Sequence, residues 1–508
     1  MPCFAPEGVT GALNKKGGIM PTSDSAGGAA GADANLVFFN GIDGETGQYA
    51  VAPRTIDELA ELARTNPQTT PIAAVRSETD IRAFGLPPGV EHDEFDTTGW
   101  GVVFAENAAP DIRAALEPLL ALRRKQTGAL FKTLDYKAGE QTRDWYARHG
   151  VAPSQVNPDA VPYYLLMVGP PGEIPFEFQY LLGVDYAVGR LSFGSADEYA
   201  RYAESVVRYE GADGLANAKS IAYWGTRHLG DRATQLSAEQ LIGPLANGDP
   251  AGKGRLAKPA HADFKFSAEL ALADDATKDA LLAKLTAERP PALLFTASHG
   301  MQFGAGRPAQ QAAQGALLCQ DWPGFGTISA DHYLAAANVP DEANVGGMVA
   351  FFFACFAGGT PKVDQFFLKA DQLAAGAPLP PLAPQPFMAA LPRRLLAHPK
   401  GGALAVIAHV DRAWATSIQT AGMTGSQIMP FRNALQFLMR GDPVGHVIRD
   451  QFGSRFAALS ADLLSLLAPG APKVADSVLV SRWLERNDAQ NYVVLGDPAV
   501  RIRVDKLA

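Results

Sequence analysis

The stretches Leu293-Leu294-Phe295-Thr296-Ala297-Ser298-His299-Gly300 and Met348-Val349-Ala350-Phe351-Phe352-Phe353-Ala354-Cys355-Phe356-Ala357-Gly358-Gly359 decide how this chain is read. Each is a short apolar run that stops at one reactive side chain and passes into small residues. Runs of this length, carrying aromatic or β-branched residues and closed by glycine, read as buried strands of a parallel sheet. Parallel strands bring their carboxyl ends to one edge, where α/β proteins place their ligands. The two runs therefore set an imidazole and a thiol side by side at one rim, as a cysteine nucleophile with its base.

Working outward, the same alternation of strand and helix runs through most of the chain. Strands are expected at Leu36–Phe39, Trp100–Phe104, Phe131–Leu134, Tyr163–Gly169, Ser220–Gly225 and Ala403–Val410. A closing pair is expected at Tyr492–Pro498 and Ala499–Val504. Helical spacing of apolar residues places helices at Pro110–Lys125, Gln141–His149, Asp197–Glu210, Lys278–Glu288, Asn433–Arg440 and Asp450–Leu467, with Asp185–Leu191 left as a loop. The pattern restarts after a Gly, Ala and Asp cluster near Gly211–Asn217. The expected architecture is α/β, with two doubly wound, mainly parallel-sheet subdomains over residues 35–214 and 215–508. Residues 1–34, rich in Gly, Ala, Ser and Pro, read as a flexible tail. Prolines crowd residues 371–395 into a long surface loop of the kind that serves as a lid.

Composition narrows the function. The formal net charge of −9 over 508 residues, with no basic run, argues against a nucleic-acid partner. Three cysteines, Cys3, Cys319 and Cys355, are too few for a disulfide framework, which points to a reducing compartment. The first 21 residues hold no continuous apolar core of a secretory signal, and no run is long enough to span a bilayer, so a cytoplasmic location is expected. There is no Gly-x-Ser-x-Gly elbow, Walker loop or His-Glu-x-x-His, so serine-hydrolase, NTPase and zinc-peptidase readings lack local support.

The chemistry then falls on Cys355. A free thiol is only slightly ionised near neutral pH; a neighbouring imidazole favours the thiolate and later returns the proton to the leaving amine. Gly300 offers an N–H without side-chain obstruction, and with the Cys355 N–H it forms an oxyanion pair. The bland reading is that a cysteine in an apolar run is a small core residue. His409, which also ends an apolar strand, is the rival base, with a structural hydrogen bond as its alternative role. His149 follows a charged helix and reads as a surface residue, Cys319 as packing, and Cys3 as part of the tail.

An apolar block ending in His299-Gly300, followed by one ending in Ala354-Cys355, resembles the caspase-like cysteine peptidases, and 56 residues separate the two reactive side chains. The likeness is closer to the gingipain-type catalytic domain. It also rests on Tyr164–Gly169, on Asp185-Tyr186-Ala187-Val188-Gly189-Arg190 before a helix ending Arg208-Tyr209-Glu210, and on Leu495-Gly496-Asp497-Pro498-Ala499. The resemblance implies a Cys-His dyad of Cys355 and His299, with Gly300 lending an oxyanion N–H. It implies an acid to orient the histidine, for which Glu173 and Glu177 are candidates. It also places Asp411 where relatives build part of the substrate pocket, with a pairing to Arg412 or a structural salt bridge as its other role, and nearby Trp414 is a candidate pocket wall. The expected protein is a cysteine endopeptidase acting on polypeptides through an acyl-enzyme, with no cofactor or metal and with a regulatory protein partner as one route of control. The alternatives are a catalytically silent caspase-like interaction module and a thiol-dependent hydrolase or acyltransferase on a non-peptide substrate.

Overall fold

The computed structural model describes residues 35–65, 85–87, 89–153, 156–249, 257–414, 418–419 and 427–508. The expected tail, residues 1–34, lies outside the described residues.

Ten strands make one sheet. In chain order they are β1 (Trp100–Ala105), β2 (Phe131–Tyr136), β3 (Tyr164–Val168), β4 (Ala187–Leu191), β5 (Ala218–Gly225), β6 (Ser267–Leu272), β7 (Pro291–Ala297), β8 (Val349–Phe353), β9 (Ala405–His409) and β10 (Tyr492–Gly496). Their spatial order is β2-β1-β3-β4-β10-β9-β8-β7-β5-β6. Every described pairing is parallel except β9 with β10. The inner strands β1, β3, β4, β7, β8, β9 and β10 are buried along their whole length, as strands covered on both faces must be.

The two expected halves thus share one continuous sheet. β10, from the carboxyl end of the chain, lies between them, parallel to β4 and antiparallel to β9. The halves run in opposite senses as a result, and β5, β7, β8 and β9 end on the same edge.

The structure departs from the sequence reading locally. Ala187–Leu191 is a fully buried strand, while Ala499–Val504 belongs to no strand. Ser267–Leu272 escaped the sequence reading because it is an edge strand with four of its six residues exposed, so it shows no apolar run. The helix Asp476–Asn491 escaped it because Glu485, Arg486, Asn487 and Asp488 are buried beside Leu479, Val480, Trp483 and Leu484, which hides the apolar stripe. The proline-rich segment is tied down: the Asp364 N–H donates to Pro380 O at 2.8 Å, and Phe387–Met388 pairs with Gly359–Thr360 just beyond Cys355.

The Leu495–Ala499 motif is structural. Asp497, wholly buried, accepts hydrogen bonds from Trp100 Nε1 at 2.9 Å, Arg123 Nε at 2.7 Å and the Ala499 N–H at 3.0 Å. Arg123 turns its other nitrogens to Glu210. Asp497→Ala leaves a buried guanidinium short of a partner, and its expected cost is roughly 3–5 kcal/mol, read as a lowered urea midpoint.

A smaller sheet matters more for function. It pairs Tyr333–Leu334, Leu317–Leu318, Gly300–Gln302 and Gly41–Asp43, in that order, and it begins one residue after His299. The helix Ile56–Thr65 that follows carries an apolar face (Ile56, Leu59, Ala60, Leu62, Ala63) into a second core with Trp414, Leu479, Val480 and Trp483. No helix among the described residues is long and apolar enough to cross a membrane.

Candidate active site

Strand register brings the two reactive residues together. Ala297 of β7 is level with Phe353 of β8, and the Ser298 N–H donates to Phe353 O at 3.2 Å. Paired strands lie about 4.8 Å apart, so the residues two places further on, His299 and Cys355, leave the sheet as neighbours. The chain turns sharply after the cysteine. Phe356 has φ of 58°, a strained value for a bulky residue, and its N–H donates to Asp411 O at 2.8 Å.

Gly300 fits against this turn so closely that no side chain is admissible there. A Cβ at this position would lie 1.8 Å from Cys355 O and 2.8 Å from Cys355 N, and backbone cannot move aside as a flexible side chain can. Gly300→Ala is therefore expected to destabilise the protein by about 3 kcal/mol or more and to displace the cysteine turn, seen as a lowered melting temperature and loss of any Cys355-dependent activity.

The imidazole of His299 is fully buried, and Nε2 lies 2.5 Å from Asp231 Oδ2. The other oxygen of Asp231 accepts from the Tyr49 hydroxyl, and Thr234 Oγ1 and the Ala233 N–H also donate to the carboxylate. Burial alone would raise the Asp231 carboxyl, but the adjacent His299 ring and these hydrogen bonds hold it well below the usual carboxylate range. Tyr49 packs edge-on against the His299 ring, with centroids 5.7 Å apart. His299 Nδ1 is buried and free of any hydrogen-bond partner among the described residues. The ring is thus anchored through one nitrogen while the other has no hydrogen-bond partner among the described residues.

Asp231 is the acid that the sequence reading did not find. Glu173 and Glu177 are exposed and follow β3 in the first half of the sheet, whereas Asp231 holds the imidazole. One signal was present: Asp231 is the first carboxylate after β5, whose carboxyl end adjoins that of β7.

Cys355 has no exposed surface. Its Sγ accepts from the Ala413 N–H at 3.2 Å and makes no hydrogen bond to His299. Burial pushes the thiol well up, against the opposing pull of Arg412 and the Ala413 N–H, so in this form sulfur keeps its proton. Cys319 is also buried, its Sγ 3.4 Å from Leu317 O, as its packing role requires.

The loop after β9 closes the other side. His409 Nδ1 lies 2.9 Å from Asp411 O and Nε2 lies 3.2 Å from Asp488, so both ring nitrogens face groups of the scaffold. Asp411 is buried, and its carboxylate accepts from the Arg412 N–H at 2.8 Å. The Arg412 side chain forms a two-pronged pair with Asp364, at 2.9 and 2.7 Å, and a longer ion pair with Asp411 at 3.8 Å. Burial raises the Asp411 carboxyl to about 6, although Arg412 pulls the other way. A raised value means that the fold favours the protonated acid: its stabilisation is complete below pH ~4 and is lost as pH climbs through 6. Asp411→Asn should therefore gain roughly 1–3 kcal/mol over the parent at pH 8 and nothing at pH 4, checked by thermal melts at both values.

Trp414 is buried between Phe39, with ring centroids 4.3 Å apart, and Phe366 at 4.8 Å. Its backbone N–H donates to Asp488 Oδ1 at 3.1 Å. The structure thus brings His299, Gly300 and Cys355 together and lines the adjoining wall with Ala413 and Trp414, while Asp411 lies inside that wall. All of them are covered. Among the described residues, no group of His, Cys, Asp and Glu is placed to hold a metal ion.

Three-dimensional similarity extends to an entity described as "Structure of Protease", at 12% identity over 79% of this chain and 78% of that one, with a TM-score of 0.44. It extends also to the Arg-specific cysteine proteinase gingipain R, at 12% identity over 82% and 81% of the two chains, with a TM-score of 0.42. A complex of the pro- and mature domains of Porphyromonas gingivalis RgpB matches at 13% identity over 80% of each chain, with a TM-score of 0.42. No curated protein matches the sequence. The family model for peptidase family C25 matches residues 152–503, well over half of the chain and inclusive of Asp231, His299, Gly300 and Cys355, and the protein belongs to that family of cysteine peptidases.

Proposed function

We propose that the protein is a cysteine endopeptidase in which Cys355 attacks the peptide carbonyl, His299 moves the proton and Asp231 holds His299 in position. The observation that supports this best is the pairing of His299 Nε2 with Asp231, at 2.5 Å, beside the Cys355 turn. Nδ1, buried and unpartnered, takes the thiol proton and later delivers it to the departing amine. The carbon–sulfur bond forms first and gives a tetrahedral oxyanion; its collapse breaks the C–N bond as the imidazolium protonates the amine, and water, activated by the same imidazole, then hydrolyses the thioester and restores the thiol. The N–H groups of Gly300 and Cys355 serve the oxyanion, because a Gly300 with no side chain lets the two backbones meet. Trp414 and Ala413 flank the substrate, and Asp411 keeps their loop in shape from behind.

The complete burial of Cys355 and His299 favours a second reading, a closed module without catalysis. Incubating the protein with a peptide library and sequencing new termini by mass spectrometry separates the two. Cleavage that depends on Cys355 supports the peptidase. An intact library, in a preparation whose Cys355 is alkylated rapidly by iodoacetamide, contradicts it.

A further inference from the structure

What covers the thiol is the chain's own N-terminal segment. Phe39 lies on Trp414 and forms a β-bridge with it. Asn40 donates through Nδ2 to Ser298 O at 3.0 Å, one residue before His299, and through its backbone N–H to Ala413 O at 3.3 Å. Gly41 stands directly over the nucleophile: a Cβ there would lie 3.4 Å from Cys355 Sγ. Gly41, Ile42 and Asp43 then pair in parallel with Gly300, Met301 and Gln302. The chain reverses through a turn in which the Gly47 N–H donates to Asp43 O, and Tyr49 reaches Asp231. The segment thus contacts the nucleophile, the strand after the base, the residue before the base, the acid and the pocket wall.

This is how an extended peptide is held by an exposed strand edge: backbone hydrogen bonds along the edge, with side chains dropped into flanking pockets. The residue at the sulfur is glycine; a Cβ there would already be in van der Waals contact with Sγ, so a long side chain would crowd it. Two residues from it, Phe39 fills the aromatic pocket of Trp414 and Phe366. We propose that residues 39–43 occupy the groove in which a substrate strand pairs with Gly300–Gln302, so that substrate and this segment compete for one place and the form described here is closed. The proposal rests on the reading of Cys355 as nucleophile and names the control of that site. The raised proton affinity of the Cys355 thiol agrees with a resting state. The segment does not leave unaided, because Val37, Phe39 and Val51 and the following helix are packed into the core of Trp414, Leu463, Leu479 and Trp483.

The test is the rate of Cys355 alkylation by iodoacetamide in the full chain, mapped by peptide mass against Cys319. In the parent, labelling proceeds only through local opening and is slow. Phe39→Ala combined with Asn40→Ala removes the ring from Trp414 and the amide from Ser298, and Cys355 labelling is expected to rise roughly tenfold or more while Cys319 stays slow. Gly41→Leu, which crowds Sγ, is expected to act in the same direction and guards against a folding defect in the double variant, as do thermal melts of both. A synthetic peptide of residues 36–51, added to the double variant, should slow labelling again. Rapid labelling of the parent, or no effect of that peptide, overturns the proposal. Faster labelling of the variants without any peptide-library cleavage upholds the closed groove and sinks the endopeptidase instead. Cleavage by the parent at the rate of the variants does the reverse.

Discussion

In the Phe39→Ala/Asn40→Ala chain, Cys355→Ala should abolish peptide cleavage, by roughly 10⁴-fold or more in kcat/KM, since the residual groups of such a site cannot form the covalent intermediate. The same change should hardly affect folding. Cys355 Sγ touches Gly41 and the Ala413 backbone in a wholly buried position, so deleting one sulfur leaves a small cavity costing about 1 kcal/mol. A protein that melts within a few degrees of the parent and cuts nothing is the expected outcome. His299→Ala should cost as much in rate, and combining the two should add little, because the pair acts as one unit. Cys319→Ala is the control: its thiol is buried with Sγ on Leu317 O, and activity should survive.

Asp231→Asn carries the next largest effect. An amide keeps the shape of the carboxylate but cannot stabilise the charge that develops on His299, and it invites the wrong imidazole tautomer; in a triad of this logic the loss is about 10²–10⁴-fold. The loss should fall on kcat more than on KM, since Asp231 lies behind the imidazole. A thermodynamic signature goes with it. The carboxyl is held below its ordinary value in the folded protein, so its stabilisation is present above pH ~4 and disappears as pH falls through the folded value. The melting temperature of Asp231→Asn should therefore trail the parent at pH 7, by a gap that narrows as pH falls below about 4. A variant equally impaired above and below that pH would mean that the residue serves packing only.

The sequence made the chemistry of the rim legible because two fully buried strands, β7 and β8, each end at a reactive side chain, and parallel pairing then dictates where those ends go. It did not single out Asp231, which is placed by contacts with Tyr49 and His299 that join distant parts of the chain. The single sheet was illegible for a related reason: β10 reaches its place between β4 and β9 from the far end of the chain, and apolar patterning says nothing of strand order. The N-terminal segment was the largest omission. Leu36–Phe39 has the look of a short strand, but nothing in Phe39-Asn40-Gly41 announces that the glycine sits over a sulfur more than 300 residues away. The Leu495–Ala499 motif shows the opposite limit, since residues that read as a family signature prove to brace the scaffold through Asp497.

The most direct measurement is mass mapping of the adduct formed by a peptidyl chloromethyl ketone with the Phe39→Ala/Asn40→Ala chain, in which the groove is open. Such a reagent alkylates a thiol that a neighbouring imidazole has activated. A single adduct on Cys355, lost in the same chain carrying His299→Ala, is the predicted result. An adduct on Cys319, or one on Cys355 that forms equally fast without His299, would contradict it.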